Sequence, residues 1–380
     1  MSKEGKDISL SIPIVGEEEK AALREVIDSG WLSMGAKVQA FENEFAALHG
    51  QKTAVAVNSC TAALHLILCA FNIGPGDEVL VPAVTFVATV NAVLYVGATP
   101  VFLDIEGLEQ PLVSLDEAAA KCTSRTKAVI IMHYGGYTAD VRPWRDFCDA
   151  RGLRLIEDAA HAPGIPGVGR LSHASAFSFF ANKNMSTAEG GMVLSPDEDA
   201  LTVIRRLRGH GMTSDTLVRH QGHAYSYDVT MLGFNYRLDE LRAAVGLVQL
   251  HHLPEWNRMR KALAQAYRQK LSSEAPSILV PFDEGHPTTA HLMPVVLPEN
   301  CRREAVMDSL RRSGIQSSIH YPPVHLFSYY RKLYPDVILP KSEEFCRREL
   351  SLPLHPALKE ADVDHVVNCL KAALEEGSRR

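Results

Sequence analysis

The sequence predicts an α/β protein, with a mainly parallel, doubly wound sheet in a large domain and a smaller C-terminal α+β domain. Three observations carry this. Short apolar strands alternate with helices between residues 53 and 160, which is the pattern of a parallel sheet covered on both faces. Near Glu255 the composition shifts to a long basic amphipathic helix, followed by Pro-rich loops mixed with strands and helices. With 380 residues, 46% apolar and 22% charged, the chain is long enough for two units and ordinary for a soluble globular enzyme. We place an N-terminal arm at 1–15, the large domain at 16–259 and the smaller domain at 260–380.

The elements follow in order. Pro13 and Gly16 break an extended arm. GEEEKAALREVIDSG (16–30) has acids in its first turn, apolar residues at helical spacing and a terminal glycine, so it reads as a helix. Phe41, Phe45 and Leu48 mark a second helix ending at Gly50. TAVAV (53–57) is a buried strand running into an apolar helix over 58–71, opened by the N-cap formers Asn58 and Ser59. Such a strand-to-helix junction is either plain capping or an anion site, because unpaired N–H groups and the helix dipole converge there. Strands follow at 79–83, 100–105, 127–136 and 153–160, with helices at 85–97, 115–122 and 141–152 between them. After a Gly-Pro loop at 161–170 come a strand at 191–195, a helix at 199–211 and a polar loop over 212–230 rich in Tyr and His. A glycine turn and helix fill 233–253, and a connector helix 256–271. Strands near 278–281 and 291–297 and helices near 302–312 and 362–374 complete the chain.

Several function classes are excluded. A net charge of −6 gives no reason to expect nucleic acid or an anionic membrane as partner. The seven cysteines form no CxxC pair and no metal-ligand spacing, which fits free thiols in a reducing cytoplasm. No signal-peptide pattern is expected from the polar N-terminus, and no window reaches the roughly 20 apolar residues of a membrane span.

In a doubly wound sheet ligands gather at the carboxyl ends of strands. The 58–61 turn, Phe86, His133 and Asp158 all fall at such ends. So does SAFSFFANKNMSTAEGGM (175–192), in which Ser178 alternates with Phe177 and Phe179 and therefore faces the other way. Lys183 follows this apolar run and precedes a tight Ala188–Gly190–Gly191 bend. A lysine in a partly dry pocket loses charge and becomes an amine nucleophile, as a Schiff-base lysine requires. A pyridoxal 5′-phosphate (PLP) site needs that lysine, an acid for the pyridine nitrogen, a phosphate cup and a flat partner for the ring. Lys183, Asp158, Ser178 with the 59–61 turn, and Phe86 can fill these roles in that order. Each also has a plainer reading: Asp158 as a cap, Ser178 as a partner of nearby backbone, Phe86 as core, and His161 as a structural histidine.

Seven blocks resemble the DegT/StrS family of PLP-dependent sugar aminotransferases, of the aspartate-aminotransferase fold type. They are SGWLSMG (29–35), NSCTAAL (58–64), VPAVTFVATVNAV (81–93), IEDAAHAPG (156–164), FSFFANKNMSTAEGG (177–191), GFNYRLDELRAAVGLVQL (233–250) and HYPPVH (320–325). The resemblance implies that Lys183 carries PLP and shuttles the proton, and that Asp158 pairs with the pyridine nitrogen. It implies that His161 stands near the ring hydroxyl, where Gln is common. Ser178, Ser59 and the backbone at Cys60 and Thr61 would bind the phosphate, Cys60 departing from the usual Gly. Phe86 would stack on the ring. Asn235 would reach across from the partner subunit of a homodimer. Gly35, Arg237, Tyr321 and His325 are implied on the substrate side, with pairing to Asp239 or Glu240 as the alternative for Arg237. Some relatives carry His in place of the lysine and remove a hydroxyl; Lys183 argues against that chemistry. The implied reaction moves an amino group from an amino acid, L-glutamate by expectation, to a nucleotide-linked ketosugar. A cyclitol or other ketone as acceptor, kept open by the polar 212–230 loop, and a non-catalytic PLP-fold regulator are the alternatives.

Overall fold

The computed structural model describes residues 7–213 and 226–377. Most of the polar loop expected over 212–230 lies outside them, as do the first six residues of the arm. Seven strands make one sheet: β1 (Ala54–Val57), β2 (Glu78–Pro82), β3 (Thr99–Leu103), β4 (Thr126–Met132), β5 (Arg154–Asp158), β6 (Ala174–Ser178) and β7 (Gly191–Leu194). Their order is β1-β7-β6-β5-β4-β2-β3. Only β7 runs against the rest, pairing antiparallel with both β1 and β6. The strands are nearly all buried, as expected where helices cover both faces.

The covering helices are α1 (Glu17–Ser29), α2 (Ala36–Leu48), α3 (Cys60–Ala70), α4 (Ala88–Tyr95), α5 (Leu115–Lys121), α6 (Val141–Asp149) and α7 (Glu198–Leu207). α3 and α4 pack on one face with Leu64, Ile67 and Val93. α5 and α6 pack on the other with Ala118, Trp144 and Phe147. Phe177 and Phe179 of the lysine stretch point away from Ser178 and are fully buried, their rings 5.0 and 5.3 Å from Phe45 of α2. Each such burial stabilises by about 2 kcal/mol. The same two contacts fix which way Ser178 faces.

The expected pair of helices over 233–253 and 256–271 is a single helix, α8 (Glu240–Glu274), which contains Pro254. An interior proline lacks the N–H and crowds the carbonyl four residues back, costing about 3 kcal/mol. Packing at both ends offsets that cost. Leu250 and Leu253 join the sheet-side core, and Leu263, Tyr267 and Leu271 join a second core. The boundary expected at 259/260 falls inside this helix.

The second core gathers β8 (Met293–Val296), α9 (Arg303–Arg312), β9 (Glu349–Leu352) and α12 (Glu360–Gly377) around α8. Leading into it are α10 (Ser328–Leu333) and α11 (Pro340–Arg348). β8 and β9 pair antiparallel, while the strand expected near 278–281 is reduced to a single bridge, Leu279 to Val296. α10, α11 and β9 have no counterpart in the sequence expectations. The N-terminal arm is tied to this core: Ile8 exchanges backbone hydrogen bonds with Gly314 and Gln316, and the Leu10 carbonyl accepts from Leu354 N–H at 3.1 Å.

Candidate active site

A cavity of about 520 Å³ opens at the carboxyl ends of the strands and is closed on one side by residues 318–321. β1 delivers Ser59, Cys60 and Thr61, β2 leads to Phe86, and β5 ends in Asp158. β6 ends in Ser178, five residues before Lys183. His161 and Tyr321 also line the cavity.

The lysine loop is clamped at its neck, since Phe179 N–H donates to the Gly190 carbonyl and Thr187 N–H to the Phe179 carbonyl. Ala188 is held at φ +66°, a strained conformation for a residue with a Cβ. Lys183 N–H donates to the Phe180 carbonyl at 2.9 Å. The half-buried side chain opens on the cavity. Burial pulls its pKa down to about 8, against opposing attraction from Asp158 and Cys60. At pH 7.5 about a quarter of such amines are uncharged, against roughly one in a thousand at the ordinary value.

Asp158 is 3% exposed. Its Oδ2 accepts from Thr89 Oγ1 at 2.6 Å and its Oδ1 from Ala160 N–H at 3.1 Å. Burial still raises its pKa, although these bonds, Lys183 and His133 all pull the other way. A carboxylate so placed favours a cationic or N–H partner in the cavity.

The His161 ring has a defined polarity. Nδ1 accepts from Gly135 N–H at 3.2 Å, so in the neutral ring Nε2–H donates to the Tyr321 hydroxyl, 3.1 Å away. Burial, reinforced by Lys183, His320 and His133, holds His161 well below its usual pKa, which keeps the ring neutral. Beneath it lies a buried polar layer. His291 sits 4.3 Å from His161 between ring centroids, His291 Nδ1 bonds Asn184 Oδ1, and Asn184 Nδ2 donates to Asn257 Oδ1 on α8.

Ser59 caps α3, its Oγ accepting from Ala62 N–H at 3.1 Å. The amides of Cys60 and Thr61 belong to the first turn, ahead of the helical ladder, and can serve an anion. Gly191 makes this junction possible: a Cβ there would stand 2.5 Å from the Ser59 carbonyl carbon and 2.7 Å from Cys60 N. Ser178 Oγ faces the same cavity and accepts from Phe180 N–H at 3.3 Å. Phe86 is 55% exposed at the mouth, its ring 5.8 Å from that of Tyr321.

Four expected residues lie away from the cavity of this chain. Gly35 opens α2 and donates to Glu240 Oε1 at 2.9 Å, with no room for a side chain beside Trp31. Arg237 is bridged through its backbone to Val57. Glu240 caps α2 and Asp239 pairs with Arg242. His325 is 1% exposed, its Nε2 3.1 Å from Glu343 and its ring 6.0 Å from Phe102. A short turn, Val324–Leu326, anchored by Val324 N–H on the Ala83 carbonyl, rotates His325 into the core. Asn235 is exposed outside the cavity, its carbonyl 3.4 Å from Asn58 Nδ2. Thr89, Asn184, His291, His320, Glu349 and Ser351 also belong to the site and its supports, with no counterpart among the residues expected from sequence. A usable signal was present for Glu349 and Ser351, whose polar positions alternate with Leu350 and Leu352 as on a two-faced strand.

A family model described as the DegT/DnrJ/EryC1/StrS aminotransferase family matches residues 13–371. The chain belongs to this family. The spore coat polysaccharide biosynthesis protein SpsC of Bacillus subtilis (strain 168) is 38% identical over 386 residues, covering 98% of each chain. The putative sugar aminotransferase Spr1654 of Streptococcus pneumoniae, in its PLP form, superposes with a TM-score of 0.89 at 28% identity, over 98% of this chain and 99% of that one. DesI, solved in the presence of its TDP-sugar product, gives 0.87 at 32% identity, over 98% and 94%.

The protein is a PLP-dependent enzyme of the sugar aminotransferase family, which sets aside the non-catalytic alternative. The cavity's chemistry fits that cofactor: an amine of depressed pKa, a buried carboxylate, and amides at a helix start that only glycine can approach. Gly191→Ala is expected to destabilise the fold by about 3 kcal/mol through this overlap. The drop should appear as a lower thermal midpoint, with PLP lost on gel filtration.

Proposed function

We propose that the enzyme takes an amino group from an amino acid, L-glutamate in our reading, and delivers it to a ketosugar carried on a nucleotide. The observation that carries the chemistry is the presence of Lys183 and Asp158 in one cavity, the first with its pKa lowered and the second with its pKa raised. The acceptor class is supported by the relative DesI, solved with a TDP-sugar.

PLP, when bound, supplies an electron sink for negative charge developing at the substrate carbon. The chain's own residues do the rest. Asp158 holds a proton at the cofactor's ring nitrogen, and its bonds to Thr89 and Ala160 keep it aimed. Lys183 Nζ holds the cofactor and moves the proton at the substrate carbon as acid and base in turn. Ser178, Ser59 and the Cys60 and Thr61 amides hold the phosphate. Phe86 offers a ring face, while neutral His161 keeps Tyr321 in place through Nε2–H. Asn235 serves the second copy of a cytoplasmic homodimer, in keeping with its exposed position near the 58–61 turn.

The test supplies L-glutamate and a panel of ketones, with products read by mass spectrometry. Amination of a TDP- or UDP-linked ketosugar is expected. Amination of cyclitol ketones alone would show the acceptor to be wrongly assigned.

A further inference from the structure

The segment closing the cavity carries His320 beside Tyr321, and its ring is wired from behind. His320 Nδ1 lies 2.8 Å from Ser351 Oγ, and Ser351 Oγ donates to Glu349 Oε1 at 2.6 Å. Glu349 Oε2 accepts the His320 backbone N–H at 2.8 Å. Ser351 has one hydroxyl proton, and the carboxylate takes it. The Nδ1 contact therefore requires the ring to donate to Ser351 through Nδ1–H. Burial lowers the His320 pKa to about 4, so the ring is neutral and Nε2 is left with a lone pair. His320 lines the cavity, whereas Ser351 and Glu349 are fully buried behind it.

We propose that His320 is a specificity-determining residue, whose unprotonated Nε2 accepts a hydrogen bond from a hydroxyl of the keto acceptor, and that Ser351 and Glu349 are positioning residues that fix this polarity. The proposal rests on the acceptor reading above. Together with Tyr321, whose oxygen already accepts from His161, it gives the wall one hydrogen-bond acceptor and one hydroxyl of set orientation.

The chain of bonds is reversible. A protonated Glu349 donates to Ser351, Ser351 then donates to Nδ1, and the proton of His320 moves to Nε2, turning the acceptor into a donor. Glu349 is faced by Ser351 on its own strand, by His320 and Tyr321, by Tyr134 after β4, by Arg303 of α9 and by Cys346 of α11. Burial outweighs the bonds from Ser351 and His320 and the charge of Arg303, raising the carboxyl pKa to about 7. The acceptor form therefore prevails above neutrality and the donor form below it.

The experiment is ¹⁵N NMR of the histidine-labelled holoenzyme between pH 6 and 8.5, with His320→Gln used to assign the signal. The Nδ1–H form is expected at pH 8.5, giving way to Nε2–H at pH 6. Glu349→Gln, whose amide must donate to Ser351, should show Nε2–H throughout. It should also raise the KM for a TDP-linked ketosugar about tenfold while leaving the half-reaction with L-glutamate within about twofold. An Nε2–H ring in the wild type at pH 8.5 would overturn the proposal. So would a Glu349→Gln variant that slows both half-reactions equally, since that marks a scaffold. The tautomer is read without substrate, so a protein that aminates no ketosugar refutes the acceptor reading while the NMR result still decides the polarity.

Discussion

Lys183→Ala is expected to lower the rate of amino transfer by about ten-thousandfold or more, because one amine both holds the cofactor and moves the proton. The loss should fall on kcat and on PLP retention, not on folding. Lys183 has a folded pKa of about 8 against an ordinary 10.5. Its charged form is therefore disfavoured in the native state. That cost is fully present below pH 8, fades between pH 8 and 10.5, and is absent above. Removing the side chain relieves it, so the cofactor-free variant should melt at the same temperature as the cofactor-free wild type, or higher, at pH 7. The advantage should shrink as the pH approaches 10.5. A variant that loses activity by unfolding would contradict this account, and thermal melts with and without PLP separate the cases.

Asp158→Asn is expected to cost at least about a hundredfold in kcat, since a neutral amide cannot hold a proton on the ring nitrogen of PLP. The stability sign is again opposite to the functional one. Burial raises the folded pKa of Asp158 above its ordinary 3.8. Any contribution it makes to stability is fully present below pH 3.8 and is lost as the pH rises through the folded value, so above that range its burial is a net cost. Asparagine can keep the Thr89 bond through Oδ1 but loses the Ala160 N–H bond, because its Nδ2 only donates. Relief of the buried charge offsets that loss, and the cofactor-free variant should be about as stable as the wild type at pH 7. Stopped-flow rates for the L-glutamate half-reaction, paired with melting curves, check both halves. Equal loss of rate and stability would assign Asp158 to scaffolding.

The legible parts of the chain were those governed by local rules. Alternation in SAFSFF separated Ser178 from Phe177 and Phe179, and the structure places those phenylalanines on Phe45 and Ser178 in the cavity. The strand-then-helix rhythm put Asp158, Ser59 and Phe86 at strand ends, and the sheet brings those ends together. What stayed hidden depended on contacts between distant segments. The composition shift near Glu255 divided one helix into two, but two cores separated along α8 hold it continuous through Pro254. Thr89 carries no local mark of its role, and only the meeting of the first turn of α4 with the end of β5 sets its hydroxyl on Asp158. His325 shares a motif with Tyr321 four residues away, yet one turn sends it to Glu343 while Tyr321 lines the cavity.

The most direct test of the central claim is chemical. Reduction of the PLP-loaded enzyme with borohydride, followed by proteolysis and mass spectrometry, should place one phosphopyridoxyl group per chain on the peptide containing Lys183, and none in Lys183→Ala. A label on any other lysine, or no label on the wild type, would contradict the assignment of this cavity as the catalytic centre.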